Sequence, residues 1–534
     1  MLPRQAGSSA RTRRPASCLR RAASRARRSR ATRRDSSRRE RAASTRRTLR
    51  RPCRPRQPDN SHGPRHCARR RRARAARRRR APCPRGDDGC RAAARLAPRP
   101  RGDDGQRAAA RHADRRATTA DTVLLPGTAP ARVVGTIGDG TPQVAAKVDP
   151  SAARFAPDPA LAALGRRIFF DPRLSEPRGV SCAGCHDPGR AFAPTLTAAA
   201  LAGPGVPEGS RPGRFSQRNA PSLLYVRYVP RRHFYQDDDA PMPSPFGGLF
   251  SDGRADTLAE QIRGPLFDPD EMNNRSPAAL LRKIDATELA PALAARFGPA
   301  VLRDPERMTR GLGLAVEAYL QSDEMAPFTS RFDAYLRDRT PLTPQEMRGL
   351  ALFRNPDKGN CMSCHTLSDT SSRPERSLFT DFGYDAIAVP RNRALPANRD
   401  RRHFDTGLGN TARRLRWPDP DQWCGYLRTP GLRNVALKQT FMHNGVFTSL
   451  RDAVAFYNTR STDPRRWYHG AATFDDVPPA CLGNINVNST PMNRRPGMPP
   501  AMSDADIDDL VAFLRTLTDA RYAGAEPRTP TTPR

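Results

Sequence analysis

The sequence predicts a mainly α protein in which one helical module is built twice, preceded by a disordered arginine-rich segment. Three observations carry this. Capped amphipathic helix patterns recur in two matching sets, strand signals are sparse, and the first 120 residues differ sharply in composition from the rest.

Of the formal net charge of +38, residues 1–120 hold +32, from 40 Arg, no Lys and 8 acidic residues. The remaining residues carry only +6, the balance of an ordinary soluble protein. The basic segment has no aromatics and few aliphatics, so it cannot bury enough apolar surface to offset chain entropy. Its short repeat, RGDDGCRAAAR at 85–95 and RGDDGQRAAAR at 101–111, is too polar for a solenoid. Such charge can form an electrostatic tail for nucleic acid. Arginine without lysine reads instead as GC-biased coding upstream of the true start, so a nucleic-acid partner is not expected. No apolar run of signal-peptide length and no membrane span is visible. The Pro-rich residues 121–157 read as a linker.

The first module opens on DPALAALGRRIFFDP. Asp158 is the N-cap, Pro159 takes the first helical position, Pro172 is a stop, and Leu161, Leu164, Ile168 and Phe169 share a face. It closes on DPERMTRGLGLAVEAYL, 304–320. The second module opens on LTPQEMRGLALF, where Thr343 and Glu346 form a capping box around Pro344. It closes on SDADIDDLVAFLRTL, 503–517, with Ile507, Leu510, Val511, Leu514 and Leu517 on one stripe. The modules span 158–325 and 341–520, with a junction at 325–341 and a tail at 521–534.

Each module contains one Cys-x-x-Cys-His: Cys182, Cys185 and His186, then Cys361, Cys364 and His365. Two cysteines three positions apart can bond both vinyl groups of one haem as thioethers, and the next residue delivers an imidazole to the iron. A four-cysteine zinc site needs no histidine after each pair, and a redox dithiol belongs in a βαβ pattern that is absent. Two tandem cytochrome c-type domains with long loops, each holding a covalent haem c, are therefore expected. Cys18, Cys53, Cys67, Cys83 and Cys90 fall in the basic segment. Cys424 and Cys481 remain, as a disulfide or as two buried thiols.

Further phrases fall in one order: LGRRIFFDPRLS (164–175), VSCAGCHDPGRAFA (180–193), RNAPSLL (218–224), SDGRADTLAEQIRGPLFDPDEM (251–272), NCMSCH (360–365), RTPGLRNVAL (428–437) and FMHNGVFTSLRDAVAFYN (441–458). Over roughly residues 155–520 the chain resembles the bacterial di-haem cytochrome c peroxidases, and within them the MauG-like members. The resemblance implies an N-terminal haem that reacts with hydrogen peroxide and a C-terminal haem that exchanges electrons. It makes His186 and His365 the proximal iron ligands and Glu271 the distal acid–base residue, with Gln261 and Pro265 lining the same pocket. Tyr457 falls at the axial position opposite His365, with Met442 as competitor and His443 near the haems. A calcium ion is implied at Asn219 with the backbone carbonyls of Lys438 and Thr440.

Three departures stand out. No histidine lies between His186 and His233, so the second histidine of reductively activated relatives is missing, and His233 reads as a surface residue. Ser251 stands where relatives carry a bridging tryptophan. The side chains of Lys438 and Thr440 replace the usual small residue and proline. The function implied is a MauG-like oxidoreductase that uses peroxide to oxidise a partner, such as a protein side chain. The alternatives are a detoxifying peroxidase fed by a small cytochrome or cupredoxin, and a di-haem electron carrier. Thioether attachment follows export, which implies the periplasm even though no export signal is visible.

Overall fold

The computed structural model describes residues 155–236, 243–367, 377–469 and 474–525. The readings for 1–120, for nearly all of the linker and for the end of the tail lie outside the described residues.

The helices begin where the caps require. Asp158 accepts from the N–H groups of Ala160 and Leu161 and starts the Pro159–Phe169 helix, which ends before Pro172. Asp304 starts Pro305–Leu320 in the same way. The Thr343/Glu346 capping box opens Pro344–Arg354, and a second box, Ser503 with Asp506, opens Asp504–Arg515. Pro159–Phe169 packs on Pro305–Leu320, and Pro344–Arg354 packs on Asp504–Arg515.

Both pairs cross at a glycine. A Cβ on Gly165 would lie 1.8 Å from the Ala315 carbonyl oxygen, and one on Gly349 would lie 2.0 Å from that of Asp509. Backbones approach this closely only where no side chain intervenes. The first pair lies in a cluster built mostly from residues 161–326, with Leu378, Phe382, Leu437 and Tyr522 added. The second lies in a cluster drawn from residues 332–517.

Among the described residues, strand is confined to two short antiparallel pairs. His233–Tyr235 pairs with Ser244–Phe246, and Tyr384–Asp385 with Leu427–Arg428. The first pair corrects the surface reading of His233. Its ring is buried, stacks on Phe246 and turns Nδ1 to the Arg231 carbonyl at 3.0 Å. A charged-looking context, RRHFYQDDD, concealed a strand whose partner lies eleven residues on. Cys424 and Cys481 form a disulfide, with Cα atoms 5.8 Å apart.

The crossings predict that Gly165→Ala and Gly349→Ala each destabilise the fold by about 1–3 kcal/mol through overpacking. Thermal unfolding checks this against Gly483→Ala, where an added methyl meets nothing within 4 Å and should change little.

Candidate haem site

Both Cys-x-x-Cys-His stretches fold as single tight turns. Cys182–Cys185 is one helical turn closed by the His186 N–H on the Cys182 carbonyl at 2.9 Å. Cys361–Ser363 is a 3₁₀ turn, with the His365 N–H on the Cys361 carbonyl at 2.8 Å. Each turn therefore presents its two thiols and its imidazole together.

The imidazoles are oriented from behind. His186 Nδ1 lies 3.0 Å from the Pro221 carbonyl and 3.2 Å from that of Phe192. His365 Nδ1 lies 2.9 Å from the Phe379 carbonyl. A carbonyl can only accept, so Nδ1 carries the proton and Nε2 keeps its lone pair, the form that binds a metal. Burial reinforces this by pulling His186 down to about 4 and lowering His365, so both rings are neutral at pH 7.

All six motif residues line one cavity of about 860 Å³. The four cysteines are unpaired, and burial pushes their thiols up to between about 11 and about 12. Among the described residues no three His, Cys, Asp or Glu side chains converge to hold a metal ion. The donor set fits two haems: paired thiols for thioether bonds, a free Nε2 beside each pair, and a shared, largely apolar space.

Glu271, Gln261 and Pro265 line the same cavity. The loop that carries Glu271 is pinned: Ser210 N–H donates to its carbonyl at 2.7 Å, Arg211 donates to the Pro269 carbonyl, and Arg214 Nε reaches Asp270 at 2.7 Å. Burial, with the charge of Asp268 and Asp270 and against that of Arg254, pushes the Glu271 carboxyl up to about 7. Glu271 is near enough to Cys185 to raise that thiol further. It is a cavity carboxyl, not a solvated one.

Around the second turn, Tyr457, on the Leu450–Thr459 helix, lines the cavity with Met442 and His443. Burial raises the Tyr457 hydroxyl well above its ordinary value, and the second cysteine pair and Asp385 add to the effect. Met442 holds a left-handed backbone, φ 67°. His443 Nε2 stands 3.8 Å from Asp405, its Nδ1 is buried without a hydrogen-bond partner, and burial pulls its pKa down to about 4. Ser251 also lines the cavity.

The calcium set fits poorly. Asn219 Oδ1 is buried without a partner, as a cation ligand would be, but Asn219 Nδ2 donates to the Thr440 carbonyl at 3.0 Å. The Lys438 ammonium turns back to the Ala220 carbonyl at 2.9 Å, and burial pulls its pKa down to about 8. Calcium prefers six to eight oxygens, carboxylates among them, and here an ammonium sits in the same loop.

Sequence reasoning missed an electrostatic clamp on the cavity wall. Arg218 bonds Asp405 at 2.6 and 2.7 Å and pairs with Asp252 at 2.8 Å. Arg218 holds the Asp405 carboxyl far below the usual range despite burial. The three residues are 34 and 153 positions apart, so no local pattern announced them.

Two cysteine–histidine turns on one cavity, each with a free Nε2, define a covalent haem protein, and the comparisons narrow the class. A family model described as di-haem cytochrome c peroxidase matches residues 159–341. The methylamine utilization protein MauG of Paracoccus denitrificans is 37% identical over 369 residues, covering 68% of this chain and 90% of that protein. The cytochrome c551 peroxidase of Pseudomonas aeruginosa is 28% identical over 296 residues, covering 55% and 70%. The crystal structure of the diheme peroxidase BthA from Burkholderia thailandensis matches at 80% identity and a TM-score of 0.73, covering 77% of this chain and 98% of that one. The chain belongs to the di-haem cytochrome c peroxidase family. Membership implies two c-type haems, oxidoreductase chemistry and electron transfer.

Proposed function

We propose that the chain is a periplasmic, MauG-like enzyme that uses hydrogen peroxide to oxidise a partner protein. The observation that carries this reading is Glu271, a pinned carboxyl poised at about 7 on the wall of the cavity that holds the His186 turn. Residues 158–325 would form the peroxidatic domain and 341–520 the electron-transfer domain, each built on one glycine-crossed helix pair. The Cys424–Cys481 disulfide suits an oxidising compartment. Among the described residues no helix is long and apolar enough to cross a membrane.

Reduction of peroxide to two waters consumes two electrons and two protons. His186 would hold the haem iron, which would supply the redox chemistry for breaking the O–O bond. Glu271 takes a proton from one peroxide oxygen and returns it to the other, which leaves as water. Gln261 and Pro265 shape the pocket beside it. The electrons are restored by oxidation of the partner, a protein side chain in the MauG-like case.

Which residue would join His365 in holding the second haem separates the leading reading from its rival. An oxygen ligand from Tyr457 favours higher oxidation states, whereas a thioether favours ferrous iron and raises the potential. Tyr457 therefore suits an oxidising store, and Met442 suits a detoxifying peroxidase fed by a small redox protein. The second reading is kept because Met442 lines the same cavity wall as Tyr457.

Three outcomes are expected. Mass spectrometry of the denatured protein, made in a host with haem-attachment machinery, should give the polypeptide plus two haems; a haem-free mass would end the reading. Glu271→Gln should retain both haems but slow the peroxide step by about 10²–10⁴-fold in stopped flow. Since the carboxyl must be ionised to accept the proton, the parent rate should rise with pH through about 7 and level above it, and the variant should lose that inflection. For the axial ligand, the ferric spectrum should lack a methionine–iron charge-transfer band. A band abolished by Met442→Ala and untouched by Tyr457→Phe would select the detoxifying peroxidase.

A further inference from the structure

The segment 437–440 is stitched along its length to residues 190–220. Arg190 Nη1 donates to the Leu437 carbonyl at 3.1 Å, and the Leu196 N–H donates to Gln439 Oε1 at 2.8 Å. The Thr440 hydroxyl donates to the Gly205 carbonyl at 2.7 Å. Lys438 sits within this seam and lines the cavity. Its ammonium carries three N–H donors, but among the described residues its recorded partner is one carbonyl, that of Ala220. No described carboxylate forms an ion pair with it, although the nearby Arg218 has two.

A half-buried cation that faces a largely apolar cavity calls for an anion. None of the described carboxylates on the wall pairs with Lys438, whereas haem brings carboxylates of its own as propionates. We propose that Lys438 Nζ is the cation at the junction of the two haem-binding turns, pairing with a haem propionate and standing where the family resemblance implies calcium. The inference rests on the two-haem reading. Its other support is the poverty of the calcium set, which offers one orphan acceptor, Asn219 Oδ1, and carbonyls flanked by a fixed ammonium. A divalent ion there would meet like charge, and the ligand set offers it no carboxylate among the described residues.

The test uses the full chain with both haems first counted by mass, so a failure of haem loading is seen separately. Elemental analysis after dialysis should find well under one calcium per chain, and EGTA should leave the thermal midpoint and the haem spectrum unchanged. Lys438→Met, which removes the charge, should lower the reduction potential of at least one haem, because a nearby positive charge favours ferrous iron. Lys438→Arg should restore it. One tightly held calcium in the parent, an EGTA-sensitive spectrum, or unshifted potentials in a folded Lys438→Met variant would each overturn the proposal. If Lys438→Met does not fold, the calcium content and EGTA response of the parent decide alone.

Discussion

Arg433 holds distant parts of the chain in register. Its Nη1 and Nη2 bond both oxygens of Asp333 at 2.9 and 2.8 Å, and its Nε bonds the Ser377 carbonyl at 2.9 Å. The guanidinium lies over Phe328, Tyr225 and Phe379, at 4.6, 5.0 and 5.8 Å from their centroids. The adjacent Asn434 bonds Asp519, which also accepts from the Tyr225 hydroxyl and the Thr329 N–H. A buried ion pair adds little over an apolar substitute, but removing one partner costs about 3–5 kcal/mol. Its value is that alternatives leave charge unpaired, so only one arrangement of these segments satisfies it.

That constraint reaches both imidazoles. Arg433 packs on Phe379 and bonds Ser377, and the Phe379 carbonyl is the acceptor for His365 Nδ1. On the other side, Tyr225 is tied to Asp519 four residues after Pro221, whose carbonyl takes His186 Nδ1. The Nε2 lone pairs are therefore aimed by backbone that one buried network fixes. The cavity wall then divides its carboxyls by environment. Asp405, clasped by Arg218, stays ionised far below neutrality, while Glu271, buried and with like charges for neighbours, titrates near it. Of these two only Glu271 can exchange a proton at physiological pH; elsewhere on the wall Asp476, buried beside Arg391, is also pushed up to about 7.

How much of this was legible follows from how local each cause is. Caps and boxes act within four residues, so Asp158 and Thr343 announced their helices, while Asp504–Arg515 was legible from its apolar stripe. Cys-x-x-Cys-His is a single turn and was equally plain. Gly165 and Gly349 stood inside helical patterns without showing why, because the carbonyls they admit are 150 and 160 residues away. Glu271 drew attention only through family resemblance; its raised pKa depends on burial and on a loop pinned from residues 210–214. His233 was misread because strand pairing outweighed the charged residues around it. Cys424 and Cys481 could not be paired on spacing alone.

Ser251 shows where a local substitution changes what a shared cavity can do. It lines the wall with both haem-binding turns, and its carbonyl accepts the Arg428 N–H at 2.8 Å, so its backbone is firmly placed. Its side chain has no π system through which charge could pass. Nearby aromatics are otherwise engaged: Phe250 lies under the Arg254 guanidinium at 3.4 Å, and the Tyr384 hydroxyl is bonded to the Gly247 carbonyl at 2.6 Å. A cation on a ring face makes removing an electron from that ring harder. On the proposed reading, the two haem sites are therefore more weakly coupled than a tryptophan at 251 would make them. Under the proposed function, weak coupling would keep an oxidising equivalent near one site, and the residue that joins His365 in holding the second haem would then control where it rests.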